Sequence, residues 1–259
     1  YRRQRQMCIR DSDNSIEVED FGRGCPVDYN EKEQRFNWEL VYCELYAGGK
    51  YDNNSGDNYE FALGLNGLGA CATQYASEYM DVEVYRDGYK YDLHFEKGEN
   101  IGGLKKEETK QKKTGTKTHW KPDLDVFTDI KIEKEYFEEV LKKQAVVNPN
   151  IQFIYRYQNE DGNFEEEVFC YENGIADYVA EIAGESALTS IQYFEGERIG
   201  RDREDKKDYK VKLSVSFTFS NQIKDLEYFH NSSYLEHGGS PEDAVKAAFT
   251  SQILSLIHI

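Results

Sequence analysis

The segment EVEDFGRGCPV, residues 17–27, places Asp20 just ahead of two glycines, Gly22 and Gly24. A carboxylate here could accept a hydrogen bond from the exocyclic amine of a purine, while the glycines let the backbone pass close to a ring. Aspartate and glycine are also ordinary turn residues, so a strand that ends in a turn accounts for the same pattern. Because isolated motif matches carry a high false-positive risk, this segment alone favours the turn.

A glycine-rich stretch at residues 64–69 adds a second kind of chemistry. It precedes a helical pattern of small residues and consists of Gly64, Leu65, Asn66, Gly67, Leu68 and Gly69. Such a loop at a helix start presents backbone N–H groups to phosphates, whose charge the helix dipole favours. Lys50, in the Gly-, Asn- and Asp-rich loop 47–69, could supply a point charge. Tight helix packing and a solvated lysine are the alternatives, and the stretch is not a Rossmann fingerprint because no strand runs directly into it.

Residues 113–116, KTGT, lead into a strand and provide the third feature. Thr116 could share a bound water with Asp20 beneath a base, or it could be an ordinary β-branched strand residue. The order and spacing of the three features together are more specific than any one of them.

Composition narrows the class of protein. The 259 residues are 39% hydrophobic and 14% aromatic, enough for a core, and the net charge of −17 disfavours this segment as a main DNA-gripping surface. The five cysteines are scattered without C-x-x-C spacing and the histidines show no ligand grouping, so reduced thiols are expected and a zinc site is not. No run of apolar residues is long enough to span a membrane and no secretory segment is visible. A soluble, intracellular protein is expected.

The order of predicted elements indicates an α+β fold. Residues 1–12, YRRQRQMCIRDS, and residues 253–259, ILSLIHI, resemble translated sequencing-adapter sequence and are left out of the fold prediction. Periodicity predicts strands that flank the Asp87-Gly88 hairpin turn, a helix over 133–147 and an alternating strand over 210–219. The remaining predictions are a strand ending near Asp20, a helix over 37–46, a charged loop over 105–113, a strand ending at Pro122, a strand over 151–157, a helix over 172–182 and a domain boundary near 183–208.

The motifs VEDFGRGCPV, LYAGGKY, GLNGLGACA and KTGTK, in this order, resemble the ATPase region of the B subunits of bacterial type II topoisomerases. These are DNA gyrase and topoisomerase IV, within the GHKL ATP-binding superfamily. The resemblance runs from about Asp13 to Gln252 and includes KVKLSVSFTFSNQIKDLEYFHNSS, which resembles the transducer domain. It implies a GHKL (Bergerat) sandwich of mixed sheet and helices over 13–185, followed by a partial ribosomal-S5-like transducer domain over 186–252.

The resemblance also implies roles for particular residues. Asp20 is expected to bind the adenine amino group, with Gly24 and Thr116 completing its water network. Arg23 and Pro26 would line the adenine pocket, and Arg86 would lie at its outer edge. Residues Gly64 to Gly69 would wrap the triphosphate, which Lys50 would reach. Phe21 and Asn66 depart from the usual family residues, and Phe21 and Cys25 are expected to change the shape of the pocket.

The parent protein implied by the resemblance uses ATP and Mg²⁺ to close a homodimer of B subunits as a gate for DNA strand passage, together with the A subunit. A cytoplasmic, nucleoid-associated bacterial location follows, with no membrane partner. Two alternatives stay open. One is another GHKL protein of the chaperone or mismatch-repair clamp type, and the other is a non-catalytic nucleotide-binding module.

Two functional elements of the family find no match in this sequence. The family carries its general-base glutamate and magnesium-binding asparagine on a helix ahead of the adenine aspartate, where this chain has only YRRQRQMCIRDS before Asp13. The transducer lysine that touches the γ-phosphate would lie beyond Gln252. We therefore expect no catalytic residue and no metal ligand in this segment, and no ATP turnover by it.

Overall fold

The computed structural model describes residues 4–10, 13–48, 67–159, 161–201, 203–204 and 208–257. The chain forms two compact units, one made of Tyr1–Gln144 and Ile151–Cys170 and the other of Ala145–Asn150 and Tyr171–Ile259. Lys50, Gly64, Leu65 and Asn66 lie outside the described residues. Within the described part of the chain, no helix has the length and apolar character needed to cross a membrane.

The first unit is built on a nine-stranded mixed sheet, in the order β11-β10-β1-β2-β9-β5-β6-β7, with β8 paired to β6. The pairing of β1 with β10 is parallel and the other pairings are antiparallel. Its strands are β1 Gln4–Arg10, β2 Ser15–Asp20, β5 Ser77–Arg86, β6 Tyr89–Glu96, β7 Glu99–Asn100, β8 Lys105–Glu108, β9 Gly115–Pro122, β10 Gln152–Gln158 and β11 Phe164–Phe169. A separate two-stranded ribbon joins β3 Tyr29–Asn30 to β4 Arg35–Phe36, and the helices are α1 Asn37–Tyr42, α2 Gly69–Tyr75 and α3 Lys134–Val147, whose last residues fall in the second unit.

One face of the sheet is apolar because β5 and β6 alternate in register. Met80, Val82 and Val84 of β5 are 1% exposed, and Phe95 of β6 is equally buried. These side chains pack against α1, where the Tyr42 ring centroid lies 5.8 Å from that of Phe95. Burial of this face is the main stabilising contribution expected for a half-covered antiparallel sheet.

Helix α1 begins where local hydrogen bonds replace the missing helical partners. The Phe36 N–H donates to the Glu39 carboxylate at 2.8 Å, and the Asn37 N–H donates to the Asp28 carbonyl at 2.7 Å. These contacts satisfy donors that a helix start leaves unpaired. The helix ends at Tyr42, earlier than the predicted 46, and Leu45 is 51% exposed.

The opposite face of the sheet carries charged side chains that form ion pairs. Lys117 Nζ lies 2.9 Å from the Glu17 carboxylate, and Lys90 Nζ lies 2.8 Å from the Asp92 carboxylate. A cavity of about 390 Å³ lies on this face, lined by Glu17, Asp81, Val82, Glu83, Asp92, Leu93, His94, Ile101, Gly103, Lys105, Lys117 and His119. Asp20, Gly24 and Thr116 are not among its lining residues, so this cavity is distinct from the predicted nucleotide site.

His94 bridges two carboxylates on this face. Its Nδ1 lies 2.6 Å from Asp81 and its Nε2 lies 3.1 Å from Glu96. Carboxylates only accept hydrogen bonds, so both ring nitrogens carry a proton when both bonds form. The bonds to Asp81 and then Glu96 raise the pKa of His94 above its ordinary value.

Several strands differ from the sequence-based predictions for one shared reason. Residues 4–10 form β1 in the middle of the sheet, residues 105–108 form β8 rather than a loop, and β11 and residues 192–200 are strands without an alternating apolar pattern. Each is held by backbone pairing to a neighbouring strand, which is a tertiary effect that its own sequence does not report. The predicted hairpin at Asp87-Gly88, the helix over 133–147 and the strand over 210–219 are confirmed within a few residues.

The second unit contains α4 Ile175–Ala183, a short 3-10 turn at Gly184–Ser186, the ribbon of β12 Gln192–Gly200 with β13 Tyr209–Phe217, the small hairpin of β14 Phe229–His230 with β15 Ser233–Tyr234, and α5 Ser240–Ile257. Its aromatic contacts join β13 to α5, since the Phe217 ring centroid lies 5.1 Å from that of Phe249. The Tyr178 hydroxyl of α4 donates to the Glu227 carboxylate at 3.1 Å. The chain passes between the compact units after residues 144, 150 and 170, and the expected domain boundary between residues 185 and 186 stays a prediction.

The His94 bridge makes the stability of the first unit depend on pH. A raised folded-state pKa contributes stability that is complete below the unfolded value of about 6.5 and is lost as the pH rises through the folded pKa. We expect His94→Gln to remove this loss. Urea unfolding at a series of pH values, followed by tryptophan fluorescence, isolates the first unit because Trp38 and Trp120 are the two tryptophans of the chain.

The exposed His237 of the second unit provides the matched control. His237→Gln should retain the pH dependence of the wild-type protein. An equally steep dependence in His94→Gln would contradict the role given to the bridge.

Candidate functional site

Asp20 is the last residue of β2, and the chain turns sharply after it. The Gly22 N–H donates to Asp20 Oδ1 at 2.8 Å, which closes a turn of the kind that aspartate favours. The turn interpretation is therefore correct for Gly22. The bond from Gly22 occupies only part of the hydrogen-bonding capacity of the Asp20 carboxylate, which has two oxygens and about four acceptor positions.

Gly24 brings this turn against the end of β5. Its φ is +83°, and a Cβ at this position would lie 2.8 Å from the Tyr85 carbonyl oxygen and 3.3 Å from the Arg86 Cβ. Both the backbone conformation and the space exclude a side chain. The predicted residues Gly24 and Arg86 are thus neighbours.

The start of β9 also borders the turn that follows Asp20. Gly115 has φ +139°, and a Cβ there would lie 1.9 Å from the Asp20 carbonyl oxygen. One residue later, Thr116 Oγ1 accepts a hydrogen bond from the Cys25 N–H at 2.9 Å. Residues 20–25 and 115–116, which are far apart in the sequence, therefore share one small volume, as the sequence predicts for Asp20, Gly24 and Thr116.

The floor of this volume is buried and largely neutral. Pro26 and Val27 are buried, and Tyr42 of α1 is 4% exposed. Burial raises the pKa of the Cys25 thiol to about 12, an effect that Tyr42 opposes by a hydrogen bond and the Asp20 carboxylate reinforces. Burial also raises the pKa of Tyr42 well above its usual value, with Cys25 as the next cause. Both groups stay uncharged near neutral pH.

The two arginines occupy different surroundings at the rim. The Arg86 side chain is 30% exposed and its Nε lies 3.1 Å from the Asp87 carboxylate, while Arg23 is exposed. Lys113 Nζ forms an ion pair with the Glu19 carboxylate at 2.5 Å and lies 4.5 Å from the Tyr85 ring centroid. Phe21, which departs from the family pattern, is 39% exposed at the same rim.

Of the glycine-rich stretch 64–69 that is expected to contact the phosphates, the structure describes residues 67–69. Helix α2 begins at Gly69, and Leu68 at its N-cap makes no side-chain capping bond. Gly67 has φ +61° and packs so closely on Gly48 that a Cβ would lie 2.4 Å from the Gly48 nitrogen. The assignment of Gly67 to Gly69 to the triphosphate stays a prediction.

Tyr42 and Thr118 are site residues that the sequence analysis did not select. The helical pattern identifies Tyr42 as part of a packed face, but periodicity does not distinguish a core tyrosine from one beneath a ligand. Thr118 lowers the Tyr42 pKa through a hydrogen bond, and it follows Thr116 by two residues on the same face of β9. The two-residue spacing of Thr116 and Thr118 is the sequence signal that could have identified Thr118.

The mixed sheet with α1 on its apolar face matches the GHKL-type fold of a solved gyrase B domain. The solved 43K ATPase domain of Thermus thermophilus gyrase B, in complex with an aminocoumarin, matches with a TM-score of 0.60 and 26% identity over 83% of this chain and 51% of that one.

Sequence comparisons give the family. Residues 174–258 match the model of the DNA gyrase B family. The B subunit of DNA topoisomerase 4 from Escherichia coli (strain K12) is 37% identical over 174 residues, which are 67% of this chain and 27% of that protein. The B subunit of DNA gyrase from Thermotoga maritima is 31% identical over 241 residues, which are 92% of this chain and 36% of that protein. The chain belongs to the family of type II topoisomerase B subunits and spans about a third of the length of these curated relatives.

The contact between Gly115 and Asp20 generates a stability prediction. We expect Gly115→Ala to lower the free energy of unfolding of the first unit by about 2 kcal/mol or more, because the residue sits at a strained φ and its Cβ would overlap the Asp20 carbonyl. Urea unfolding monitored by tryptophan fluorescence gives the value.

Gly103→Ala is the matched control. Gly103 also has a positive φ, +70°, but nothing lies within 4 Å of its Cβ position. The control should therefore show the conformational cost alone, about 1 kcal/mol. Equal losses in the two variants would mean that the close approach of β9 to Asp20 adds nothing.

Proposed function

We propose that the volume around Asp20 binds the adenine of ATP, and that this chain is part of a B subunit that uses ATP to drive DNA strand passage. The convergence of Asp20, Gly24 and Thr116 over a buried, neutral floor supports this proposal. A single carboxylate in such surroundings favours a ligand that presents hydrogen-bond donors, as the adenine amino group does.

Each predicted residue takes a defined part in this proposal. Asp20 accepts a hydrogen bond from the adenine amino group, while Gly24 and Thr116 hold the water beside it. Pro26 packs against the base, and Arg23 and Arg86 form its outer edge. Lys50 and the residues from Gly64 to Gly69 surround the phosphates.

For the whole subunit, we infer the mechanism of its family. ATP binding closes a dimer of B subunits as a gate, hydrolysis with Mg²⁺ resets it, and the A subunit cleaves and rejoins the DNA. Since the relatives matched by most of this chain are topoisomerase B subunits, the chaperone-like and clamp-like alternatives have no observation in their favour.

The adenine assignment is tested by Asp20→Asn. The amide retains an oxygen for the Gly22 N–H, so the turn should survive, but the charged acceptor is lost. We expect ATP affinity to fall by roughly tenfold to a hundredfold, equivalent to about 1.5–3 kcal/mol for a hydrogen bond to a charged group. Isothermal titration with ATP measures the change.

Asp161→Asn removes a carboxylate from the exposed turn between β10 and β11 and serves as the control. Its affinity for ATP should equal that of the wild type. If Asp20→Asn kept wild-type affinity with an unchanged circular dichroism spectrum, the adenine role of Asp20 would be wrong.

We also propose that this segment binds ATP without turning it over. Residues 4–10 form β1, so they do not supply the helix on which the family carries its general base and metal-binding asparagine. Loss of a general base costs about 10²–10⁴-fold in rate. We expect phosphate release by this chain to be at least a hundredfold slower than by an intact B subunit, and a comparable rate would contradict the proposal.

A further inference from the structure

Two free cysteines lie on α1 and α2, two helices that contact each other. Cys43 is the C-cap of α1, and Cys71 lies in the first turn of α2. Cys43 is half-buried, whereas Cys71 is 0% exposed. The proposed nucleotide site uses neither thiol, so the two cysteines need a separate explanation.

Contacts between the helices bring Cys43 against one face of α2. The Tyr75 hydroxyl donates to the Cys43 carbonyl oxygen at 3.4 Å. Cys71 precedes Tyr75 by four residues, so both lie on the same face of α2. The Tyr75 ring also packs over Gly98, where a Cβ would lie 2.8 Å from a ring carbon. Cys43 therefore faces the side of α2 that carries Cys71.

The adjoining chain follows the same path. Gly67, just ahead of α2, packs on Ala47 and Gly48, which follow Cys43. The segments 43–48 and 67–75 thus approach each other at two points, Gly67 against Gly48 and Tyr75 against Cys43. Burial raises the pKa of the Cys43 thiol to about 11, and Cys71 is the next cause of the increase.

We propose that Cys43 and Cys71 form a dithiol pair that a small-molecule disulfide, such as oxidised glutathione, converts to an intramolecular disulfide between α1 and α2. This inference is independent of the nucleotide assignment. It defines a modification site at the junction of two helices of the first unit.

The exchange proceeds in two balanced steps. The more accessible Cys43, as thiolate, attacks one sulfur of glutathione disulfide and breaks its S–S bond, and the departing glutathione takes up the proton that Cys43 released. Cys71 then loses its proton and attacks the Cys43 sulfur of the mixed disulfide, which releases the second glutathione as a thiol. The raised thiol pKa values make the reaction slow near neutral pH and faster in mild alkali.

The test is oxidation of the folded chain with excess oxidised glutathione at about pH 8.5, near the ordinary thiol pKa. Free thiols are then alkylated at acid pH and peptides are identified by mass spectrometry without reduction. We expect a monomer that has lost two hydrogen atoms and a linked peptide pair containing Cys43 and Cys71. Dithiothreitol should reverse both.

Three further samples make the result specific. Cys170→Ser should leave the link intact, because this cysteine lies elsewhere in the fold. Cys43→Ser should abolish the link and leave Cys71 without a glutathione adduct, because Cys71 is buried. A sample oxidised in urea should spread the links over several cysteine pairs.

Two kinds of result would contradict the proposed disulfide. Glutathione adducts on Cys43 with no link to Cys71 would show that the thiols do not meet in the folded chain. Links from Cys43 to other cysteines in equal yield, or a Cys43–Cys71 link that appears only in urea, would have the same meaning.

Discussion

The close approach of Gly115 to the carbonyl of Asp20 is the constraint on which the candidate site depends. With no room for a Cβ between them, the start of β9 lies directly beside the end of β2, the strand with which it pairs. Thr116 is then placed within hydrogen-bond distance of the Cys25 amide, and the turn after Asp20 is fixed at both ends. A side chain at 115 would separate these strand ends, and the carboxylate, the threonine and the turn would no longer share one volume.

This arrangement explains why the site is built from backbone and small groups rather than from a row of charged side chains. Gly24 lets the turn rest on the carbonyl of Tyr85, Pro26 after it is buried, and the buried Tyr42 forms a hydrogen bond with Cys25. The thiol of Cys25 and the hydroxyl of Tyr42 stay neutral because they are buried. In the proposed site, a lone carboxylate beside neutral groups would select a ligand by its hydrogen-bond pattern, since an unmatched polar group on a ligand would lose its water without replacement.

The proximity of Asp20, Gly24 and Thr116 could be predicted from the sequence because the types and spacing of motif residues are local signals, while their role toward a nucleotide stays a prediction. The hairpin at Asp87-Gly88 could be predicted because a two-residue turn is a local signal. Tyr42 was visible only as a packed helix residue, and β8, with four exposed charged residues, has no pattern of its own. Such elements are specified by the neighbours with which they pair, so they require knowledge of the tertiary structure.

The strongly acidic chain is compatible with a nucleotide because charge acts locally in salt solution. At physiological ionic strength the Debye length is about 8 Å, so carboxylates beyond that distance from the bound ligand contribute little repulsion. On the polar sheet face many of them are already paired, as Glu17 is with Lys117 and Glu19 with Lys113. The groups that would affect the proposed nucleotide are then those within one Debye length, and Arg86 borders the turn at Gly24. The net charge of −17 therefore argues against a broad nucleic-acid surface on this segment while leaving a small anionic ligand unopposed.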